Sequence, residues 1–344
     1  MTNIMVTGGA GFIGSAFVRM VLSREPDVRI TDLDALTYAG NLENLQDVDG
    51  ARHTFIRGDI ADPEAVLAAI PEECDAIFNF AAESHVDRSI ISSAEFLRTN
   101  VIGTQVLLDA ARQRNVRRFV HISTDEVMGS LPDESEDLFT EDSPYRPNSP
   151  YAASKAAAEM FVRAARKTFG SDTVVTRCGN NYGPRQFPEK LIPLMIANAL
   201  EDQPLPVYGD GRNVRDWIFV DDHCAAIWLA YKLGRPGKVY NIGARNEREN
   251  IEVVKAILDA LSKPHTLISY VADRPGHDRR YAIDPTRTEV DLGWKPAISW
   301  QSGIEQTIDW YLGNQAWVDH VRNGEYRDYY KKMYLDRAGR GLPA

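Results

Sequence analysis

The chain has 344 residues, 44% hydrophobic and 26% charged, a globular composition long enough for one large domain or two ordinary ones. A formal net charge of -10 argues against non-specific binding to nucleic acid or to an anionic membrane, and no apolar run reaches the roughly 18 residues that a membrane span needs. The three cysteines, Cys74, Cys178 and Cys224, form no C-x-x-C or zinc spacing, so no metal is expected; they read as reduced, mostly buried thiols of a cytoplasmic protein, and the start of the sequence shows no signal-peptide pattern.

In chain order, short apolar runs predict strands at Asn3 to Thr7, Val28 to Asp32, His53 to Arg57, Ala76 to Ala81, Arg118 to Ser123 and Val174 to Arg177. Helical patterns fall between them, at Ser15 to Leu22, Asp62 to Ile70, Asn100 to Asn115 and the alanine-rich Tyr151 to Phe169. Such alternation predicts an α/β fold: a Rossmann-type doubly wound parallel sheet with helices on both faces. After Gly179 the pattern loosens through Pro184, Pro188, Pro193, Pro204 and Pro206, and a smaller α/β substrate-binding region is expected. The division is therefore 1–178 for the dinucleotide and mainly 179–344 for the substrate. Val214 to Val220 and Val239 to Ile242 are expected to return as strands to the first sheet. The tail from Trp317 onward is charged and aromatic and is expected to wrap the surface.

Gly8-Gly9-Ala10-Gly11-Phe12-Ile13-Gly14 follows a predicted strand and opens a helix. Glycines there permit a tight turn and close approach of backbone to a pyrophosphate, whose charge the helix N-terminus accepts. The spacing is G-x-x-G-x-x-G rather than G-x-G-x-x-G. Asp34, the acid expected about 20 residues on, suits ribose hydroxyls and repels a 2′-phosphate, so the expected cofactor is NAD.

Tyr151 and Lys155 lie one helical turn apart and share a face. A nearby ammonium favours the phenolate, so Tyr151 is a candidate base at a sugar hydroxyl. Ser123-Thr124-Asp125-Glu126 ends a strand, where open α/β sheets bind their ligands. Two adjacent acids there invite a split of roles, one protonated to donate and one ionised to accept.

These segments, with DALTYAGN (Asp34 to Asn41), FAAESHVDRS (Phe80 to Ser89), SPYAASK, NNYGP, FPEKLIP (Phe187 to Pro193), RDW and DRPGHDRRYAID (Asp273 to Asp284), resemble the extended short-chain dehydrogenase/reductases. Within them the similarity is to the dTDP-glucose 4,6-dehydratases, and it runs over most of the chain. The resemblance implies a redox-neutral dehydration of dTDP-glucose. Tyr151, aided by Thr124, takes the 4-hydroxyl proton while C4 gives hydride to NAD. Glu126 removes the C5 proton, Asp125 protonates the departing 6-hydroxyl, and hydride returns to C6. Lys155 also holds the nicotinamide ribose. The resemblance further implies an NAD site of Gly8, Gly11, Phe12, Ile13, Gly14, Asp34, Thr37, Asp59, Ile60, Ala81, Ala82, Thr99, Tyr151, Lys155 and Asn181. It implies a sugar-nucleotide site of Ser84, Thr124, Asn180, Lys190, Leu191, Pro206, Tyr208, Arg215, Asn250, Asp273 and His277. Lys190 and Arg215 suit a diphosphate and Tyr208 suits stacking on a base. His85 and Asp87 are left outside catalysis.

Two positions depart from the family pattern. Met128 stands where tyrosine is common beside the nicotinamide, and Arg185 replaces an aromatic residue, adding charge near the nucleotide. A homodimer is implied, packed through the apolar faces of Asn100 to Asn115 and Tyr151 to Phe169. The competing readings are a UDP-sugar 4-epimerase or decarboxylase, which needs no Asp125-Glu126 pair, and a non-enzymatic NAD-binding regulator, which has no need of Tyr151, Lys155 or the acids.

Overall fold

The computed structural model describes residues 1–133 and 135–322. Strands β1 (Thr2–Thr7), β2 (Val28–Asp34), β3 (His53–Arg57), β4 (Cys74–Asn79), β5 (Arg118–Thr124) and β6 (Thr173–Cys178) come first. They are followed by β7 (Asn180–Tyr182), β8 (Leu205–Tyr208), β9 (Val214–Phe219), β10 (Val239–Ile242), β11 (Glu247–Glu249) and β12 (Ile268–Val271). Seven of these form one sheet in the order β10-β6-β5-β4-β1-β2-β3, and every pairing in it is parallel. The order reverses between β1 and β4, which opens a crevice at their carboxyl ends.

The strands are apolar because both faces are covered. Helices α1 (Phe12–Arg24), α2 (Pro63–Ala69), α3 (Val86–Ile91), α4 (Ala94–Phe96), α5 (Thr104–Gln113) and α6 (Pro150–Phe169) belong to the first half. Then come α7 (Leu191–Leu200), α8 (Val220–Leu233), α9 (Asn250–Ala260), α10 (Thr286–Leu292), α11 (Trp300–Gly313) and α12 (Gln315–Val321). One core joins the sheet to α1 and α8 through Phe17, Val21, Phe78 and Trp228. The opposite core uses α2, α5 and α6 through Val66, Leu107 and Val162. A third core lies outside the main sheet, where α7, α9, α11 and α12 pack around β8 and β9.

Local sequence sets the helix ends. Ser149 accepts from the Ala152 N–H at 3.1 Å to cap α6, Pro150 occupies its first turn and Gly170 closes it at φ 74°, the usual start and stop signals. The helix expected from Asn100 begins earlier, at Ala94, and passes through a π-helical stretch over Leu97–Gly103. That widened turn places Asn100 so that it accepts from the Glu83 N–H at 2.9 Å and donates to the Glu83 carbonyl at 2.9 Å and to Ser154 at 2.8 Å. The loop after β4 is thereby tied to α6.

Of the two strands expected to return to the first sheet, β10 does so beside β6. Val214 to Val220 does not: β9 lies between β7 and β11 in a separate three-stranded sheet. Its Trp217 and Phe219 go into the third core, an apolar environment that a parallel-sheet interior would match in sequence. The three cysteines are free and buried. At the start of the tail, Trp317 is buried in the third core rather than wrapped on the surface; residues 323–344 lie outside the described residues.

The largest fully buried side chain belongs to Arg177 on β6. It meets Glu159 of α6 through Nε at 3.1 Å and a terminal nitrogen at 2.8 Å. Glu159 also accepts from Ser123 Oγ at 2.6 Å and from the Tyr145 hydroxyl at 2.8 Å. Removing one partner of such a pair strands a charge in the core. The Glu159→Ala protein should lose about 3–5 kcal/mol of stability, read as a lower denaturant midpoint at unchanged slope; an unchanged midpoint would mean that Arg177 is rescued by other groups.

Candidate active site

β1 runs into Gly8 at φ +74°, where a Cβ would stand 2.7 Å from the Ala81 backbone nitrogen. A Cβ on Gly14 would meet the Gly8 carbonyl at 2.1 Å. The turn therefore closes only with glycine at these two places. Helix α1 starts at Gly11 with no side-chain cap, so its first-turn N–H groups are left for an anion.

Asp34 accepts from the Ala10 N–H at 3.0 Å and the Leu36 N–H at 2.7 Å. Burial, with a smaller push from Asp32, raises it to about 6 against the pull of those N–H groups. Asp32 escaped the sequence reading. It is fully buried, accepts from the Gly9 N–H at 3.0 Å, and so fixes the turn from beneath. Its signal was available: Asp32 and Asp34 share a face of β2, because side chains alternate along a strand.

Every residue expected at the cofactor lines one cavity that opens at the β1/β4 crevice, from Gly8, Phe12 and Asp34 through Asp59, Ala81 and Thr99 to Asn181. Such a cradle, with glycines no Cβ can replace and a buried acid beside them, fits a dinucleotide. Thr124, Asp125, Glu126, Tyr151 and Lys155 line the same cavity.

β5 delivers the acids. Thr124 ends the strand and caps the following turn of 3-10 helix, Asp125–Met128, by accepting from the Glu126 N–H at 3.3 Å. The Thr124 hydroxyl also donates to Asp125 Oδ1 at 3.3 Å. Asp125 is buried, and burial first and Glu126 second push it well above the usual carboxylate range. Glu126 is only half-buried. Burial raises it too, but Arg274, Lys190 and Arg215 pull it back. Burial thus raises both acids, and cations oppose the rise chiefly at Glu126.

Tyr151 and Lys155 differ from expectation. Lys155 Nζ donates to the Ile122 carbonyl at 2.6 Å, and burial lowers it to about 8, opposed by Glu159. Tyr151 is pushed well above its ordinary value by burial and then by Glu126, with the Thr124 hydroxyl opposing. Burial of the phenol in a dry site beside a carboxylate thus works against the phenolate here.

On the substrate side, Ser84, Asn180 and Lys190 line the cavity, and Lys190 Nζ donates to the Ser84 carbonyl at 2.8 Å. Leu191, Pro206, Tyr208, Arg215, Asn250, Asp273 and His277 do not line it. Three of them meet one another. The Tyr208 ring stands edge-on to His277 at 6.1 Å, and His277 Nδ1 lies 2.6 Å from Asp273. Arg215 is buried over the Tyr281 ring, and its terminal nitrogens donate to the carbonyls of Val214 at 2.7 Å and Asp278 at 2.8 Å. Sequence reasoning missed Arg274 and the part played by Asp87. Asp87 accepts from the Tyr208 hydroxyl at 2.9 Å and from Arg274 at 3.1 Å, which joins α3 to β8 and to the 273–284 segment.

The two departures from the family pattern lie away from the cavity. Met128 is buried among Val127, Phe139 and Tyr281, where its sulfur meets Arg177 at 3.5 Å, and it does not line the cavity. Arg185 pairs with Asp47 at 3.4 Å and lies over Trp310, so its charge goes to the rim rather than into the cavity.

Comparison with known proteins places this geometry among sugar-nucleotide enzymes. The family profile described as GDP-mannose 4,6 dehydratase matches residues 5–307. A dTDP-glucose 4,6-dehydratase of Xanthomonas campestris pv. campestris (strain B100) is 52% identical, with 95% of this chain and 98% of that protein covered. One from Escherichia coli (strain K12) is 49% identical, covering 97% and 99%. The solved structure of dTDP-glucose 4,6-dehydratase from Streptomyces venezuelae, with NAD bound, is 48% identical at a TM-score of 0.90, covering 93% of this chain and 100% of that one. A UDP-glucose 4-epimerase from Thermus thermophilus, also with NAD, is 32% identical at a TM-score of 0.84, covering 91% and 100%.

Proposed function

The chain belongs to the GDP-mannose 4,6-dehydratase family, and from that premise we propose that it acts on dTDP-glucose as an NAD-using 4,6-dehydratase, a hydro-lyase. The observation that carries this reading is the adjacent Asp125 and Glu126 in the same cavity as Tyr151 and Lys155. Oxidation at C4 needs one proton acceptor. Loss of water from C5 and C6 needs a base and an acid besides.

Tyr151 takes the proton of the 4-hydroxyl, with the Thr124 hydroxyl beside it. Bound NAD supplies the hydride acceptor at C4 and, after elimination, the donor at C6, so that it ends the cycle as it began. The 4-ketone acidifies the C5 proton. Glu126 takes that proton and Asp125 gives one to the C6 oxygen, which leaves as water. Glu126 then returns its proton to C5, and the proton held by Tyr151 passes through solvent to Asp125. Gly8, Gly14 and the start of α1 would hold the pyrophosphate, and Asp34 would hold the adenosine ribose. The substrate is held by Lys190 from within the cavity and by Tyr208, Asp273 and His277 from beside it. We further propose the division into a dinucleotide region, 1–178 with β10, and a sugar-nucleotide region after 179.

A cytoplasmic homodimer completes the reading. Three buried free thiols suit a reducing compartment. No helix among the described residues is long and apolar enough to cross a membrane. Leu97, Ile102, Met160, Phe161 and Phe169 are exposed on the π-helical stretch and on α6, an apolar face suited to a second copy. The mass in solution should be twice that of the chain, checked by light scattering.

The decisive assay is incubation with dTDP-glucose and analysis of the product. The expected product has lost water and carries a 4-keto group; turnover only to a 4-epimer would favour the reaction of the Thermus relative instead. In the same assay Glu126→Gln should oxidise the sugar, seen as reduced nicotinamide absorbance, yet release no dehydrated product. Normal product formation by that variant would remove Glu126 as the C5 base.

The pH dependence has a definite sign. Glu126 must be ionised, so turnover falls as pH drops through its raised pKa, while Asp125 must be protonated, so turnover falls again as pH rises through its own. Arg274 is the strongest opposing pull on Glu126 after burial. Arg274→Gln should therefore move the acid limb of kcat to higher pH, and a limb that stays in place would show that Glu126 does not set it.

A further inference from the structure

The reaction proposed above returns its cofactor to the starting state, so nothing in the cycle requires the dinucleotide to leave. The residues that bind it do not explain what would keep it in. The chain between β2 and β3 offers an answer. Ala35, Thr37 and Gly40 form one wall of the cavity, and Phe187 and Lys190 face them from the sugar-nucleotide region.

This connection is fastened on both sides. Towards its own region, the Asn41 N–H and Asn44 Nδ2 both donate to the Ala10 carbonyl, at 3.0 and 2.9 Å, inside the glycine turn. Towards the other region, the Tyr38 hydroxyl donates to Glu189 Oε1 at 3.0 Å. The Arg88 guanidinium lies 3.8 Å over the Tyr38 ring and 3.5 Å from Glu189. The Phe187 ring stands edge-on to Tyr38 at 5.7 Å. Further along, Trp317 Nε1 of α12 donates to Asn44 Oδ1 at 2.9 Å. Two outer pairs, His320 with Glu43 and Arg185 with Asp47, are exposed and add little.

We propose that residues 35–47 form a clasp that retains the dinucleotide between turnovers, with Tyr38 and Trp317 as its fastening residues. The inference rests on the reading that the cavity holds NAD. The segment crosses from the turn that grips the pyrophosphate to two separate elements of the other region, Glu189 before α7 and Trp317 on α12. A dinucleotide lying between those walls leaves only when these contacts part. Each fastening bond lies at least partly buried, where a hydrogen bond is worth more than at the surface, and the Tyr38 bond is made to a carboxylate. Neither fastening residue lines the cavity, so their effect is on retention and not on the chemical steps.

The test measures retention directly. Wild-type, Tyr38→Phe and Trp317→Phe proteins are loaded with labelled NAD, desalted, and chased with excess unlabelled NAD. Both substitutions keep an aromatic ring and remove the donor. Each should release label about tenfold faster or more, with the denaturation midpoint near that of wild type and with kcat unchanged at saturating NAD. Release at the wild-type rate overturns the clasp. So does faster release that merely follows lost stability, since that is a structural effect. Should Tyr38→Phe fail to fold, Trp317→Phe decides alone. Wild-type protein that holds no labelled NAD after desalting overturns the cofactor reading itself, which separates that failure from failure of the clasp.

Discussion

Two neighbouring carboxyl groups cannot both stay ionised in a dry site, and the structure is arranged around that constraint. Asp125 and Glu126 follow one another at the end of β5. Asp125 turns into the protein, where the Thr124 hydroxyl meets it. Glu126 feels the opposing charges of Arg274, Lys190 and Arg215. The backbone makes this separation, because a strand that ends in a capped 3-10 turn sends successive side chains to different surroundings. Burial and the neighbouring acid push Asp125 well above its ordinary range, while three cations oppose the rise of Glu126; the proposed elimination needs such a split and plain oxidation does not.

The cations that hold Glu126 down come from three places in the chain. Lys190 precedes α7, Arg215 lies on β9 and Arg274 on the segment after β12. All three belong to the region proposed to hold the sugar nucleotide, whereas the acids follow a strand of the main sheet. The charge state of the proposed base therefore depends on the two regions meeting correctly. Asp87 makes the same junction, since it pairs with Arg274 and with the Tyr208 hydroxyl. The proposed catalytic pair is a property of the interface between regions as much as of β5.

Local signals carried much of this. The glycine turn, the Ser149–Pro150 start and Gly170 stop of α6, and the strands up to β6 follow from short-range rules of sterics and capping. The cavity-lining set around Gly8, Asp34 and Asp125 was legible because each residue sits at the end of a predictable strand. What escaped depends on long-range contact. β9 has the apolar run of a buried strand, and nothing within it says which sheet it joins. Asp87 and Arg274 lie 187 positions apart in the sequence, and each looks like a solvated charge alone. The surroundings of Tyr151 were not legible either, because its burial beside Glu126 depends on how α6 packs against β5.

Glu159 binds these levels together. It sits one turn after Lys155 on α6, and it reaches Ser123 on β5 and Arg177 on β6. Ser123 is the residue before the Thr124-Asp125-Glu126 run, so the same carboxylate anchors the strand end that presents the acids and the helix that presents Tyr151 and Lys155. It also acts through charge. Burial alone would carry Lys155 further below its ordinary value, and Glu159 is the strongest opposing influence that leaves it at about 8. An ammonium with that value is still mostly charged near neutral pH, close enough to the edge that the anchor and the charge cannot be separated. A buried ion pair is weak evidence of stabilisation on its own. Here its position gives it another consequence: the group that ties the end of β5 to α6 also opposes the effect of burial on Lys155.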